Sequence, residues 1–244
     1  MTPPAAGAGG QAAPAGVAQG WTVQHLRGEA GELHLRPLPA APAREVWVLT
    51  PVRPALVLGS TQAEALVDLG EAARLGVDVV RRRSGGGVVM VGPGDPLWVD
   101  VVVPAGDLLW HDDVGRAAWW LGDAWAGALA EVGVAGAEVH RGALACGRLG
   151  RLVCFATVGA GEVTVEGRKV VGVSQRRTRA GARFQCSVPL AWDPVRHAAL
   201  LAPGIERVAP GTDPLEAMAT VAVHPVRRVT AADVLEGLRA RLPG

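Results

Sequence analysis

Of the 24 lysine and arginine residues in this sequence only one, Lys169, is a lysine. Arginine presents a planar fork of permanent charge, whereas lysine is a compact ammonium whose three donors can converge on one oxygen. A position that needed only surface charge could have been filled by arginine here as elsewhere, so the exception is either drift in a lysine-poor composition or a compact cation with a task. It stands in GEVTVEGRKVVGVS (161–174), which reads as a hairpin turning near Glu166 and Gly167. A three-residue loop pairs Lys169 with Val165, on the apolar face with Val163, Val171 and Val173, where its charge requires an oxygen ligand or an anion. A two-residue loop pairs it with Thr164 on the other face, where solvent would satisfy it. Both registers fit the sequence.

A second group is Arg81, Arg82, Arg83, Ser84, Gly85, Gly86 and Gly87, between two strand-like runs. Glycines let a ligand approach the backbone, successive N–H groups can cradle an anion, and guanidinium forks add charge. The loop lacks the Gly-Lys-Ser/Thr of a Walker A motif, and it lacks the G-x-G-x-x-G of a dinucleotide turn. A third feature is Cys154-Phe155, fifteen positions before Lys169 on a run that feeds the same hairpin. Its thiol is either a small buried apolar group or a nucleophile.

The elements that must carry these residues are read from periodicity. GELHLRPL (31–38), EVWVLT, ALVLGS, VDVVRRR, VVMV and PLWVDVVVP read as strands separated by tight turns, which suggests mainly antiparallel pairing. Residues 62–75 have helical spacing. A long helix is expected from about Asp113 to Val132, capped by Asp112 or Asp113, with Ala117, Leu121, Ala124, Ala128 and Leu129 inward. Trp119, Trp120 and Trp125 on it read as packing. A second block of strands covers 137–190, and shorter helices follow near 193–201, 213–219 and 230–241. Segregated strands and helices indicate an α+β fold of mixed, largely antiparallel sheets flanked by helices.

Composition narrows the function. Apolar residues make up 49% and charged residues 19%, with a net charge of +1, so no global field points to nucleic acid or an anionic membrane. The three cysteines, Cys146, Cys154 and Cys186, fit neither a disulfide framework nor a four-ligand zinc site, and a reducing cytoplasm is expected. Cys146 and Cys186 read as structural. The histidines at 25, 34, 111, 140, 197 and 224 show no metal-ligand spacing, so no metal site is expected, and His111 beside Asp112 reads as a helix-entry residue. No apolar run reaches the ~20 residues of a membrane helix. Residues 1–20, rich in Ala, Gly and Pro, read as a disordered tail before a single catalytic domain at 21–244.

Two motifs, RRxSGGG and GRKVxG, occur in this order, and together they resemble the lipoate–protein ligase and octanoyltransferase group of the biotin/lipoate protein ligase catalytic domain superfamily. The likeness spans about residues 30–205, and GRKVVGVSQ (167–175) is similar to the family's lysine signature. The resemblance implies an enzyme that attaches an eight-carbon acyl group, lipoate or octanoate, to a lysine of a lipoyl carrier domain. Such carriers occur in 2-oxoacid dehydrogenases and in the glycine cleavage H protein. In the ligases ATP and Mg2+ form an acyl-adenylate first. By position, Lys169 would be the active-site lysine, Arg82, Ser84, Gly85, Gly86, Gly87 and Gly172 would bind acyl group or adenylate, and Val88, Val89 and Val171 would wall the pocket.

The sequence departs from the ligase pattern at Val91, Gly92 and Asp95, which stand where many members have a His-Asp pair and an asparagine. Gly-Arg-Asn-Asp is not recognisable in 146–155, and Cys186 replaces a histidine. These departures fall on the nucleotide half of the motif set. The ~40 residues after 205 are too few for the accessory domain of larger ligases. In the cysteine-dependent octanoyltransferases a Cys-Phe pair stands at about the place of Cys154-Phe155, and there Lys169 would activate a Cys154 thioester nucleophile without ATP or any other cofactor. The function expected from the sequence is therefore an ATP-dependent lipoate–protein ligase, with an ATP-independent acyltransferase as the alternative and a non-catalytic relative that binds acyl groups or a carrier as the second alternative.

Overall fold

A computed structural model of the chain describes residues 17, 18 and 20–244; the tail expected at 1–20 falls almost entirely outside them. The strands are β1 (Val17–Ala18), β2 (Trp21–Gly28), β3 (Glu45–Pro51), β4 (Ala55–Leu58), β5 (Asp78–Arg81), β6 (Val89–Val91) and β7 (Leu97–Pro104), followed by β8 (Ala137–Val139), β9 (Ala145–Cys146), β10 (Thr157–Val158), β11 (Val163–Val165), β12 (Arg168–Arg177) and β13 (Gly181–Val188). The α-helices are α1 (Ala30–Leu35), α2 (Leu69–Arg74), α3 (Trp119–Glu131), α4 (Pro194–Val208), α5 (Pro214–Ala219) and α6 (Ala231–Arg241). The main sheet runs β1-β2-β3-β7-β13-β12-β11-β8, a smaller one runs β5-β4-β6, and β9 pairs with β10. Pairing is antiparallel except between β2 and β3 and between β4 and β5. The α+β class expected from segregation of the elements is the observed one.

Both faces of the main sheet are covered, which is why β7 reads as a nearly unbroken apolar run. Leu97, Val99, Val101 and Val103 join α3 and α6 in one core. Trp98 and Val102 face a second core, with the small sheet, α1, α4 and α5. Trp120 packs edge-on against Phe184 and Trp125 is buried, so the tryptophans of α3 are packing residues. Among the described residues no helix is long and apolar enough to cross a membrane.

Three local expectations are corrected. The segment from residue 31 is not a strand but helix α1. Its C-terminal carbonyls, those of Leu33, His34 and Arg36, accept hydrogen bonds from the guanidinium of Arg183, which pairs in turn with buried Asp100. A partner 150 positions away supplies the cap that a short helix needs. The helical run at 62–75 breaks into a 3-10 turn (Glu64–Leu66) and α2, because the Asp68 N–H goes to Leu200 and its carboxylate caps Glu71 N–H. Helix α3 starts at Trp119, not near Asp113, whose carboxylate instead accepts from Gly115 N–H in a turn; His111 is therefore no helix-entry residue.

Candidate functional site

The glycine loop is built from within. Arg82 is buried and donates through Nη2 to the carbonyls of Gly85 (2.8 Å) and Gly87 (3.0 Å), so its charge organises the loop. Gly86 takes φ +98°, which L side chains disfavour, and a Cβ there would lie 2.8 Å from Arg82 Nη2. A Cβ on Gly87 would lie 2.5 Å from the carbonyl carbon of Val153 and 2.6 Å from the nitrogen of Cys154. That close approach lets Val88 donate to Leu152 O (2.7 Å) and Cys154 donate to Val88 O (2.9 Å), which docks the turn carrying Cys154 on the loop. Gly87→Ala must push that turn away. We expect a loss of ~1–3 kcal/mol in chemical denaturation.

The lysine hairpin uses the two-residue turn. Glu166 and Gly167 have φ of 51° and 72°, and Val165 pairs with Arg168 and Thr164 with Lys169. The register then slips, since Val163 pairs with Val171. This bulge sends Val170 and Val171 to the same core and leaves Lys169 on the other face. That face is not solvent, because Lys169 is completely buried. Its Nζ donates to the carbonyl of Cys154 at 2.8 Å and pairs with Glu162 Oε2 at 2.8 Å, with the Phe155 ring 5.5 Å away. Glu162 is held by Gly159 N–H (2.7 Å) and Val173 N–H (3.0 Å). Lys169 N–H donates to Ala222 O and His224 N–H donates to Lys169 O, so residues 222–224 fix its backbone.

Beside this pair lies a narrow cleft of about 30 Å3 lined by His34, Arg82, Val89, Trp98, Cys154 and Gly172, among others. Its floor is the main sheet, where Gly172 pairs with Ser187 and Ser187 with Trp98. Of the residues singled out in the sequence, Arg82, Cys154 and Gly172 line the cleft, and Lys169 reaches it through the Cys154 carbonyl. Ser84 lies beneath, donating to Gln185 Oε1 at 3.1 Å. Gly85, Gly86 and Gly87 form the loop that Arg82 braces. Val89 is a wall, whereas Val88 belongs to the second core and Val171 to the first. Cys186 is buried, where desolvation pushes its thiol pKa up, while Cys146 is exposed and so lies outside the core.

Two residues were not singled out in the sequence. Glu162 carried no signal beyond its place ahead of the hairpin. His34 figured only as a histidine without metal spacing. Its ring lies on Trp98 with centroids 4.1 Å apart, and its Nδ1 is 3.2 Å from Gln185 Nε2. Burial, with Arg82 and Arg183 nearby, holds the pKa of His34 well below 6.5, and burial also lowers that of His197. The unfolded chain therefore takes up these protons first, and stability present above about pH 6.5 is lost as the pH falls further. The melting temperature should drop between pH 7.5 and 5.5, and less so in a His34→Gln, His197→Gln double variant.

Val91, Gly92 and Asp95 border another cavity of about 200 Å3, with Phe155, Trp192, Asp193, Arg196 and His197, and Val91 also lines the narrow cleft. It brings two carboxylates against one guanidinium, and Asp95 already accepts from the N–H groups of Leu190 and Ala191. Among the described residues no three His, Cys, Asp or Glu side chains are grouped to hold a metal ion.

The family model of the lipoyl protein ligase A/B catalytic domain matches residues 32–240. Among solved structures, the chain is similar to a bi-partite lipoate protein ligase from Thermoplasma acidophilum, described with its E2 lipoyl domain, at 16% identity and a TM-score of 0.63, covering 90% of this chain and 80% of that one. A putative lipoate protein ligase of the same organism with bound lipoic acid gives 15% identity, a TM-score of 0.57 and coverages of 92% and 94%. Plasmodium falciparum LipL1 in complex with lipoate gives 12%, 0.53, and coverages of 80% and 45%. At these identities the likeness is one of fold. No curated protein matches the sequence.

Proposed function

Because the chain belongs to the lipoyl protein ligase A/B catalytic domain family, we propose that it transfers an eight-carbon acyl group to a lysine of a lipoyl carrier domain by way of a thioester on Cys154. The observation that carries this reading is the meeting of Cys154, Arg82 and Gly172 in one cleft, with the Lys169 ammonium fixed to the Cys154 carbonyl. The Cys154 thiolate adds to the carbonyl carbon of an acyl thioester, the donor's C–S bond breaks, and the donor leaves as a thiolate that takes a proton from solvent. The neutral amine of the carrier lysine then adds to the enzyme thioester. An amide forms, the Cys154 C–S bond breaks, and the amine's proton goes to solvent.

Lys169 supports both steps. Two of its three donors are taken by Cys154 O and Glu162, which leaves one for the acyl oxygen as negative charge develops there. Glu162 balances the charge of the buried ammonium. Free thiols and a thioester suit a reducing, cytoplasmic setting. The carriers in view are the lipoyl domains of 2-oxoacid dehydrogenases and the glycine cleavage H protein.

The test is to incubate the protein with apo carrier domain and either octanoyl-loaded acyl carrier protein without nucleotide, or lipoate with ATP and Mg2+. The expected result is transfer from the thioester and an octanoyl adduct on Cys154 by intact mass. Carrier modification only with lipoate and ATP would make the protein an ATP-dependent ligase. Acyl or carrier binding with no transfer from either donor would make it a non-catalytic relative.

A further inference from the structure

The cleft beside Cys154 leaves space for about one water molecule, about 30 Å3, so an acyl chain enters only if a wall yields. Most walls cannot. The floor residues Gly172, Ser187 and Trp98 lie on β12, β13 and β7, at the centre of a sheet packed on both faces. The Cys154 end is pinned by Lys169 and by Val88, and Arg82 is tied to two carbonyls of the glycine loop.

His34 differs. It lines this cleft and also a second cavity of about 260 Å3 bordered by Arg36, Arg83, Arg176 and Thr178. His34 is thus the residue common to both spaces, with open volume beside it. Its ring is held by stacking on Trp98 and by Gln185, whose amide is oriented by Ser84, while its Nε2 has no partner. The helix that carries it is fixed at its carbonyls by Arg183, so the side chain can swing while its backbone stays. From Gly172 to Trp98 the floor spans two strand spacings, roughly 10 Å. That is about the reach of an extended eight-carbon chain.

We propose that His34 is the movable end wall of the acyl cleft, displaced by the incoming chain toward the arginine-lined cavity, and that it sets the length of acyl chain accepted. This inference rests on the acyl-transfer reading given above. It makes His34 a specificity-determining residue in contact with the far end of the substrate.

The experiment compares wild type with His34→Ala and His34→Val, using acyl carrier protein loaded with chains of four to fourteen carbons and reading kcat/KM for each length. Wild type should favour eight carbons. In His34→Ala the two cavities join, and the ratio of octanoyl to dodecanoyl transfer should fall about tenfold or more, a size of effect ordinary for a few methylenes in an apolar site. His34→Val should fall between, and serves as the folded alternative should the alanine variant not fold. A purely structural role would lower all lengths together and leave the ratio unchanged, and an unchanged ratio in a folded variant overturns the proposal. Absence of transfer by wild type from any donor would instead overturn the acyl-transfer reading itself.

Discussion

Lys169→Arg is expected to lower carrier modification by ~10²–10³-fold, the usual cost of losing one preplaced donor at a developing negative charge. The ammonium sits at 2.8 Å from both Cys154 O and Glu162 Oε2, in a completely buried place under the Phe155 ring. A guanidinium is planar and wider, and cannot meet both oxygens and keep a donor for the acyl group in that space. Lys169→Met removes the cation and strands Glu162 in the interior, so a stability loss of ~3–5 kcal/mol accompanies the activity loss. Adding Glu162→Gln removes the unpaired charge. The double variant should regain most of the stability and none of the activity, which denaturant melts and carrier assays together would establish. Full activity in Lys169→Arg would remove Lys169 from the mechanism.

Cys154→Ser is the second large effect. The fold should survive, because Cys154 contributes its N–H and its carbonyl to the site and both remain in serine. Transfer from an acyl thioester should fall by about 10³-fold or more, as for removal of other nucleophiles, and the acyl adduct on the enzyme should vanish. A nucleotide-dependent ligase would keep most of its activity in this variant. The same substitution therefore separates the two chemistries that the family contains.

Much of this was legible in the chain. The strands around the glycine loop and hairpin were readable because turn residues punctuate them, and the lysine motif stood out against an arginine-rich background. What stayed hidden depended on partners far along the sequence. The two-residue turn sets Lys169 opposite Thr164, but that this face is buried could not be read locally, since it is covered by Cys154, Glu162 and residues 222–224. Helix α1 reads as a strand until Arg183 arrives to take its carbonyls. Glu162 and His34 acquire their places only when β12, β13 and α1 meet.

The backbone of Lys169 is paired to residues 222–224, and the indole of Trp21 donates to the carbonyl of Pro243. Protein synthesis proceeds from the other end, and folding tends to follow it. The residues that grip the lysine therefore leave the ribosome some fifty positions after the lysine itself. The nascent chain therefore carries Arg82, Cys154 and Lys169 before the segment that fixes the lysine backbone has been made.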